Sequence, residues 1–249
     1  MQAVFSVPKV MKDNFIFTFC PGCDHGIAMR LVAELIDELD LKEKTICSSA
    51  IGCSVFIYDF LNIDCVEAPH GRACASATGV KRANPDKFVF TYQGDGDFAS
   101  IGLAESMHTA LRGEKVSAIC INNTTYGMTG GQHGPTTIMG QITTTSPYGR
   151  NKEYYGYPIK IAEQIALCDG TAFSARVALD SVPHINQAKQ ALKKAFEVQL
   201  KGLGFGFVEI LSSCPTNWHM SPEQAHERVR NEMIPVFPLG TFKDLTSAE

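Results

Sequence analysis

Asp95 stands between two glycines, Gly94 and Gly96, and 28 residues later the chain carries an amide, Asn123, preceded by a second, Asn122. Each group ends a strand-like run, Lys87 to Tyr92 before the first and Val116 to Ile121 before the second. Between them, Ile101, Ala104, Met107, Ala110 and Leu111 recur at helical spacing, closed by Gly113. Strand, loop, helix and strand in that order imply parallel neighbours joined by a right-handed crossover. Ligands bind at the carboxyl ends of such strands. Glycines there let the backbone approach a diphosphate, and the next helix offers free N–H groups and the positive end of its dipole. The diphosphate needs a counter-cation, and Mg²⁺ takes a few hard oxygen ligands besides phosphate. Asp95 supplies a carboxylate and Asn123 an amide oxygen from adjacent strand ends. The plain alternative is a pair of tight turns; the crossover spacing favours chemistry. A dinucleotide fingerprint fits poorly, because no glycine lies three residues after Gly96 and an acid in the turn would repel a pyrophosphate that lacks a metal.

A second chemical group is Cys20-Pro21-Gly22-Cys23, one pair among nine cysteines. It admits three readings: a thioredoxin-like pair at a helix N-terminus, half of a zinc site, or half of a [4Fe–4S] site. Zinc would expect a second close pair or two histidines, and neither is present. Thioredoxin chemistry would need no other cysteines. Cys47, Cys65, Cys74, Cys120 and Cys168 lie in apolar or mixed surroundings and read as small buried hydrophobes.

The elements that position these groups alternate strand and helix. Phe15 to Phe19 is a short apolar run. From Gly26, Ile27, Leu31, Val32, Leu35, Ile36 and Leu39 recur at helical spacing, and Thr45 to Cys47 is strand-like. Residues 127 to 160 are rich in Gly, Thr and Pro with little periodicity, as in a functional or partner-covered loop. Ile185 to Leu200 reads as a helix and Gly206 to Leu211 as the last core strand. Ser221-Pro222-Glu223-Gln224 opens a final helix with a capping box. The expected fold is α/β, a mostly parallel sheet with helices on both faces. We expect one domain over 1–249, with 220–249 as a C-terminal helical extension. The chain is 45% hydrophobic and 19% charged with a net charge of −4, which gives no case for nucleic acid. No apolar run reaches the length of a membrane span. Met1 to Phe19 does not read as a signal peptide, so the expected location is cytoplasmic and the expected cysteines are thiols or ligands rather than disulfides.

Taken together, several blocks resemble one family. Gly94-Asp95-Gly96 ending in Asn122-Asn123 looks like the thiamine diphosphate motif of the thiamine-dependent enzymes. Ile51-Gly52-Cys53-Ser54, His70-Gly71-Arg72-Ala73, Ala77-Thr78-Gly79-Val80-Lys81 and Tyr126-Gly127-Met128-Thr129-Gly130-Gly131-Gln132 narrow it. The combination, from about Cys20 to Trp218, resembles the β subunit of 2-oxoacid:ferredoxin oxidoreductases of the branched-chain 2-oxoacid or 2-oxoglutarate type. The resemblance implies Mg²⁺ on Asp95, Asn123 and the Thr125 carbonyl. It implies cofactor contacts from Ile51 to Ser54, His70, Gly94 to Asp97, Asn123, Thr125 and Gly127 to Thr129. It also implies that Cys53 and Cys214 join Cys20 and Cys23 as [4Fe–4S] ligands. One departure is Asp24, where the family usually has glycine; we expect its carboxylate to point outward.

The same resemblance implies oxidative decarboxylation of a 2-oxoacid, with acyl transfer to coenzyme A and electrons passing through the cluster to ferredoxin. The thiazolium ring accepts the electrons left by CO₂. The activating glutamate is expected not from this chain but from an α subunit carrying the pyrimidine-binding domain, with further small subunits. Residues 127 to 157 are a candidate shared face. Val55, Phe56 and Met128 would suit a branched alkyl tail; a distal carboxylate would need a cation such as Arg150 or a partner's arginine. Three rivals stand beside this reading: a thiol-disulfide oxidoreductase on Cys20 and Cys23, a non-catalytic iron–sulfur electron-transfer subunit, and a cluster-free thiamine decarboxylase.

Overall fold

The computed structural model describes residues 6–246. The first five residues of the N-terminal stretch and the last three of the C-terminal extension lie outside the described residues. Strands are β1 Thr45–Ser49, β2 Asp64–Glu67, β3 Phe88–Gly94, β4 Ser117–Asn122, β5 Thr125–Tyr126, β6 Gln132–His133, β7 Thr171–Ala178, β8 Phe205–Leu211 and β9 Gly240–Asp244. Seven form one sheet in the order β2-β1-β3-β4-β8-β7-β9, and β5 and β6 form a small hairpin. All neighbours in the large sheet are parallel except β9, which runs antiparallel to β7 at the edge.

Side-chain alternation builds two cores. On one face, Phe88, Phe90 and Tyr92 of β3 and Ile119 and Ile121 of β4 pack with helix α1 (His25–Glu38). On the other, Val89, Ala118 and Cys120 meet Cys74 and Ala77 from Ala73–Ala83 and Ile161 and Ile165 from Ile161–Ala166. The long helix Val182–Leu200 covers the first face alongside α1. It is capped by Ser181, whose side chain accepts from the His184 amide. The expected α/β sheet with helices on both faces is what forms.

Several elements differ from the sequence reading. Phe15 to Phe19 pairs with no strand; Phe15, Phe17 and Phe19 instead cluster round Phe60. The helix after Gly96 opens with a π-helical turn, Asp97–Ile101, before Leu103–Leu111. The wider turn shifts the phase of the residues beyond it. Ser106, Thr109 and Ala110 face inward, and Ile101 and Leu111, expected inside, are exposed. The capping box at Ser221 and Gln224 forms as expected. The 220–249 stretch does not stay helical, because it returns to the sheet as β9. Gly206 to Leu211 is the last fully buried strand, as expected, and β9 adds a half-exposed edge strand after it.

A buried ion network holds the sheet beside the site. Arg176, fully buried on β7, donates from Nε to Glu209 on β8 (2.9 Å) and from Nη1 to Glu163 (2.9 Å). Glu209 in turn accepts from Asn122 Nδ2 at 2.7 Å. Removing one partner strands the other charge in the core. Arg176→Met is expected to lose about 3–5 kcal/mol of stability in urea unfolding; no loss would mean the network is not closed.

Candidate functional site

β1, β3, β4 and β8 are consecutive in the sheet and all point the same way, so four strand ends open on one edge. A cleft of about 580 Å³ lies there. Ile51, Gly52, Cys53, Ser54, His70, Gly94, Asp95, Gly96, Asp97, Asn123, Thr125, Gly127, Met128 and Thr129 all line it, joined by His25 and Tyr126. Every residue expected to contact the cofactor is therefore brought to one place.

Asp95 is 2% exposed, and among the described residues no lysine, arginine or histidine pairs with it. Its side chain accepts from Thr136 Oγ1. Burial outweighs that bond and its backbone contacts, and pushes the carboxyl up to about 7. A buried carboxylate in that state fits a cation ligand. Asn123 Oδ1 accepts from the Thr125 amide at 3.2 Å, which leaves the amide oxygen a second lone pair. Ser54 Oγ, in the wall of the cleft, is buried without a partner among the described residues. An added Cβ at Gly94 would meet open space, whereas one at Gly96 would lie 2.2 Å from the Tyr126 ring. Only glycine fits beneath that ring. The donor set and the orphaned hydroxyl fit thiamine diphosphate with Mg²⁺.

The two amides of Asn122-Asn123 do different jobs. Asn122 is tied inward to Glu209, and its Oδ1 accepts from the Thr124 amide at 3.1 Å. Thr124 can then adopt φ 60°, which turns Asn123 into the cleft. Asp97 is likewise a holder. Oδ1 accepts from the Gly71 amide (2.7 Å) and pairs with His70 Nδ1 (2.6 Å), while Oδ2 accepts from Gln93 (2.5 Å). Both oxygens are thus engaged, and the Asp97 carboxylate acts on a ligand through the aim of His70, leaving its backbone to the cleft.

Beside the cleft is a second cavity of about 940 Å³, lined by Cys20, Cys23, Cys53 and Cys214 with Thr18, Phe19, Phe56 and others. Cys53 follows β1 and Cys214 follows β8, so strand ends on one edge and the Cys20–Cys23 turn supply the four thiols. All are free. Among the described residues no three His, Cys, Asp or Glu side chains stand close enough for a single metal ion. Four thiols that line one cavity suit a multi-iron cluster. Burial pushes Cys23 up to about 12 and Cys53 up to about 11. Thiols held that high stay protonated at neutral pH. A metal would displace their protons.

Residues 50–210 match the family model described as thiamine pyrophosphate enzyme, C-terminal TPP binding domain. The chain is 45% identical over 226 residues to ketoisovalerate oxidoreductase subunit VorA of Methanothermobacter thermautotrophicus, covering 91% of this chain and 47% of the relative. It is 39% identical over 206 residues to 2-oxoglutarate synthase subunit KorB of Methanocaldococcus jannaschii, covering 82% of this chain and 72% of the relative. The chain belongs to the thiamine pyrophosphate-binding subunits of the 2-oxoacid:ferredoxin oxidoreductases. It spans about half the length of its ketoisovalerate relatives. Among solved structures it resembles a 2-oxoglutarate:ferredoxin oxidoreductase from Magnetococcus marinus with 2-oxoglutarate, coenzyme A and succinyl-CoA bound. That match has a TM-score of 0.76 and 26% identity, and covers 96% of this chain and 85% of the other.

Three expectations for this oxidoreductase subunit are corrected. Asp24 does not point outward. It is 1% exposed, accepts from the Ser213 amide at 2.6 Å and pairs with His226 Nε2 at 2.8 Å. The amide next to Cys214 needs an acceptor once β8 ends, and Asp24 provides it. That hydrogen bond raises the pKa of His226. Arg150 is not a free cation. Its guanidinium donates to the carbonyls of Gly134, Pro135, Thr137, Tyr155, Gly156 and Tyr157 and staples the loop across 134–157. Val55 is buried and lines neither cavity, whereas Phe56 and Met128 do reach the thiol cavity.

The sequence reading passed over His25, which lines both cavities. Only its place two residues after Cys23, at the first turn of α1, could have signalled it.

Proposed function

We propose that this oxidoreductase subunit supports oxidative decarboxylation of an aliphatic, branched-chain 2-oxoacid, with acyl transfer to coenzyme A and electrons leaving to ferredoxin. Asp95, Asn123 and the Thr125 carbonyl hold Mg²⁺, and Gly94 to Asp97 with Ser54 take the diphosphate side of thiamine diphosphate. Cys20, Cys23, Cys53 and Cys214 ligate a [4Fe–4S] cluster. The bound cofactor supplies the electron sink that lets CO₂ leave. His70, aimed by Asp97, hydrogen-bonds into the cleft, and the Tyr126 ring closes over Gly96.

The observation that carries the substrate class is the wall of the two cavities. Among the described residues it contains no lysine or arginine, and Arg150 is committed to backbone carbonyls. Ile51 and Met128 give the cofactor cleft an apolar side. A second carboxylate, as in 2-oxoglutarate, would need a cation to leave water.

No glutamate lines the cleft among the described residues, in keeping with a partner subunit that brings the activating one. Ile142, Tyr148, Tyr154 and Tyr157 are broadly exposed on the loop after Gly127. Exposed aromatic and aliphatic groups of this kind favour a partner-covered face.

The test is coenzyme A-dependent viologen reduction by the anaerobically purified complex. With 2-oxoisovalerate, kcat/KM is expected to exceed that with 2-oxoglutarate by at least about a hundredfold, ~2.7 kcal/mol. Preference for 2-oxoglutarate would mean that a partner's cation completes the pocket and would overturn the substrate assignment.

A further inference from the structure

The cofactor cleft and the thiol cavity share five lining residues, His25, Cys53, Asn123, Gly127 and Met128. They form the partition that electrons must cross. His25 contributes its only imidazole. It is 2% exposed, stacks on Phe19 with ring centroids 5.0 Å apart, and its Nδ1 lies 2.9 Å from the Tyr92 hydroxyl. Its backbone N–H reaches the Cys23 sulfur.

Tyr92 is fully buried, and His25 Nδ1 is the partner shown for its hydroxyl among the described residues. A buried O–H requires an acceptor, so the phenol donates to Nδ1. The imidazole proton is then on Nε2, which has no protein partner among the described residues. That N–H belongs to a residue that lines both cavities, and it takes its acceptor from whatever fills them. The stack on Phe19, a wall residue of the thiol cavity alone, holds the ring toward the cysteine side.

We propose that His25, fixed by Tyr92, donates a hydrogen bond from Nε2 to a sulfur atom of the cluster on the side facing the cofactor, and so raises the potential of the electron acceptor. Hydrogen bonds to cluster sulfurs stabilise the reduced, more negative state. This rests on the cluster reading above. The role differs from ligation, since the four thiols suffice to hold the iron, and from binding of thiamine diphosphate, whose charged end lies at Gly94 to Asp97.

The experiment is an anaerobic redox titration of the complete complex, read by electron paramagnetic resonance, with iron content and thiamine diphosphate affinity measured on the same samples. His25→Phe keeps the stack and removes the donor. Its reduction equilibrium is expected to fall about tenfold, ~59 mV for one electron, with cofactor affinity unchanged. His25→Gln, which restores an N–H, should recover most of the shift. Tyr92→Phe, which frees the tautomer, should show a smaller shift of the same sign. An iron-loaded His25→Phe at the wild-type potential overturns the proposal, as does a raised KM for the 2-oxoacid at unchanged potential. If His25→Phe loses its iron, Tyr92→Phe at the wild-type potential overturns it equally. Absence of iron from the wild-type complex would instead remove the cluster reading itself.

Discussion

Asp95→Asn is expected to weaken binding of thiamine diphosphate with Mg²⁺ by at least about a hundredfold, as much as or more than the loss typical when a residue behind a metal ligand is changed. Turnover should fall with it. The substitution keeps the shape and the Thr136 contact and removes only the charge, so the loss measures what the carboxylate does for the cation. The same residue sets a pH dependence. Burial holds the metal-free carboxyl at about 7, so below that pH a proton competes with the metal. Cofactor affinity should therefore drop about tenfold per pH unit as pH falls below 7 and level off above it. Asp95→Asn should abolish that slope. Calorimetric titration of the apo complex at several pH values gives both results. Equal affinity in Asp95→Asn and the wild type would place the cation elsewhere.

The gathering of these residues at one edge was legible because it is written in local runs. Gly94-Asp95-Gly96 and Asn122-Asn123 each sit at the end of an apolar strand, and a crossover of that length favours adjacent parallel ends. Cys53 and Cys214, grouped by the family resemblance, could be placed on that edge because each follows a strand-like segment. The features that escaped depend on long-range pairing. β7 is alanine-rich with Arg176 near its centre, which is a poor strand pattern. Only the contact with Glu209, 33 residues on, makes that arginine a core residue. Asp24 reads as a surface acid because its partners, Ser213 and His226, lie 189 and 202 residues away. Arg150 looked like a substrate cation because nothing in its flanking sequence announces the carbonyls converging on it. The π-helical turn after Gly96 had the opposite effect: it rotated a correctly recognised helix and put Ile101 and Leu111 outside while Ala110 stayed inside.

Cys214→Ser separates the two cavities. Cys214 lines the thiol cavity and not the cofactor cleft, and its sulfur accepts from Asn217 Nδ2 at 3.2 Å. A serine hydroxyl is a hard and weak ligand for the iron that soft thiolates select. Iron in the purified complex should fall to background and 2-oxoacid-driven dye reduction with it, while thiamine diphosphate binds as in the wild type. Full activity in Cys214→Ser would favour the cluster-free decarboxylase. Loss of both cofactors together would mean that the partition is a shared structural element rather than a wall between two sites.

One edge of one sheet, on this account, holds the thiamine cofactor and its electron acceptor side by side. The most direct test is to mix the anaerobic, thiamine diphosphate-loaded wild-type complex with 2-oxoisovalerate alone and record the paramagnetic resonance spectrum. The expected result is a reduced [4Fe–4S] signal that depends on bound thiamine diphosphate and is missing in Cys214→Ser. An iron-loaded, thiamine-loaded complex that consumes the 2-oxoacid and leaves its clusters oxidised would contradict it.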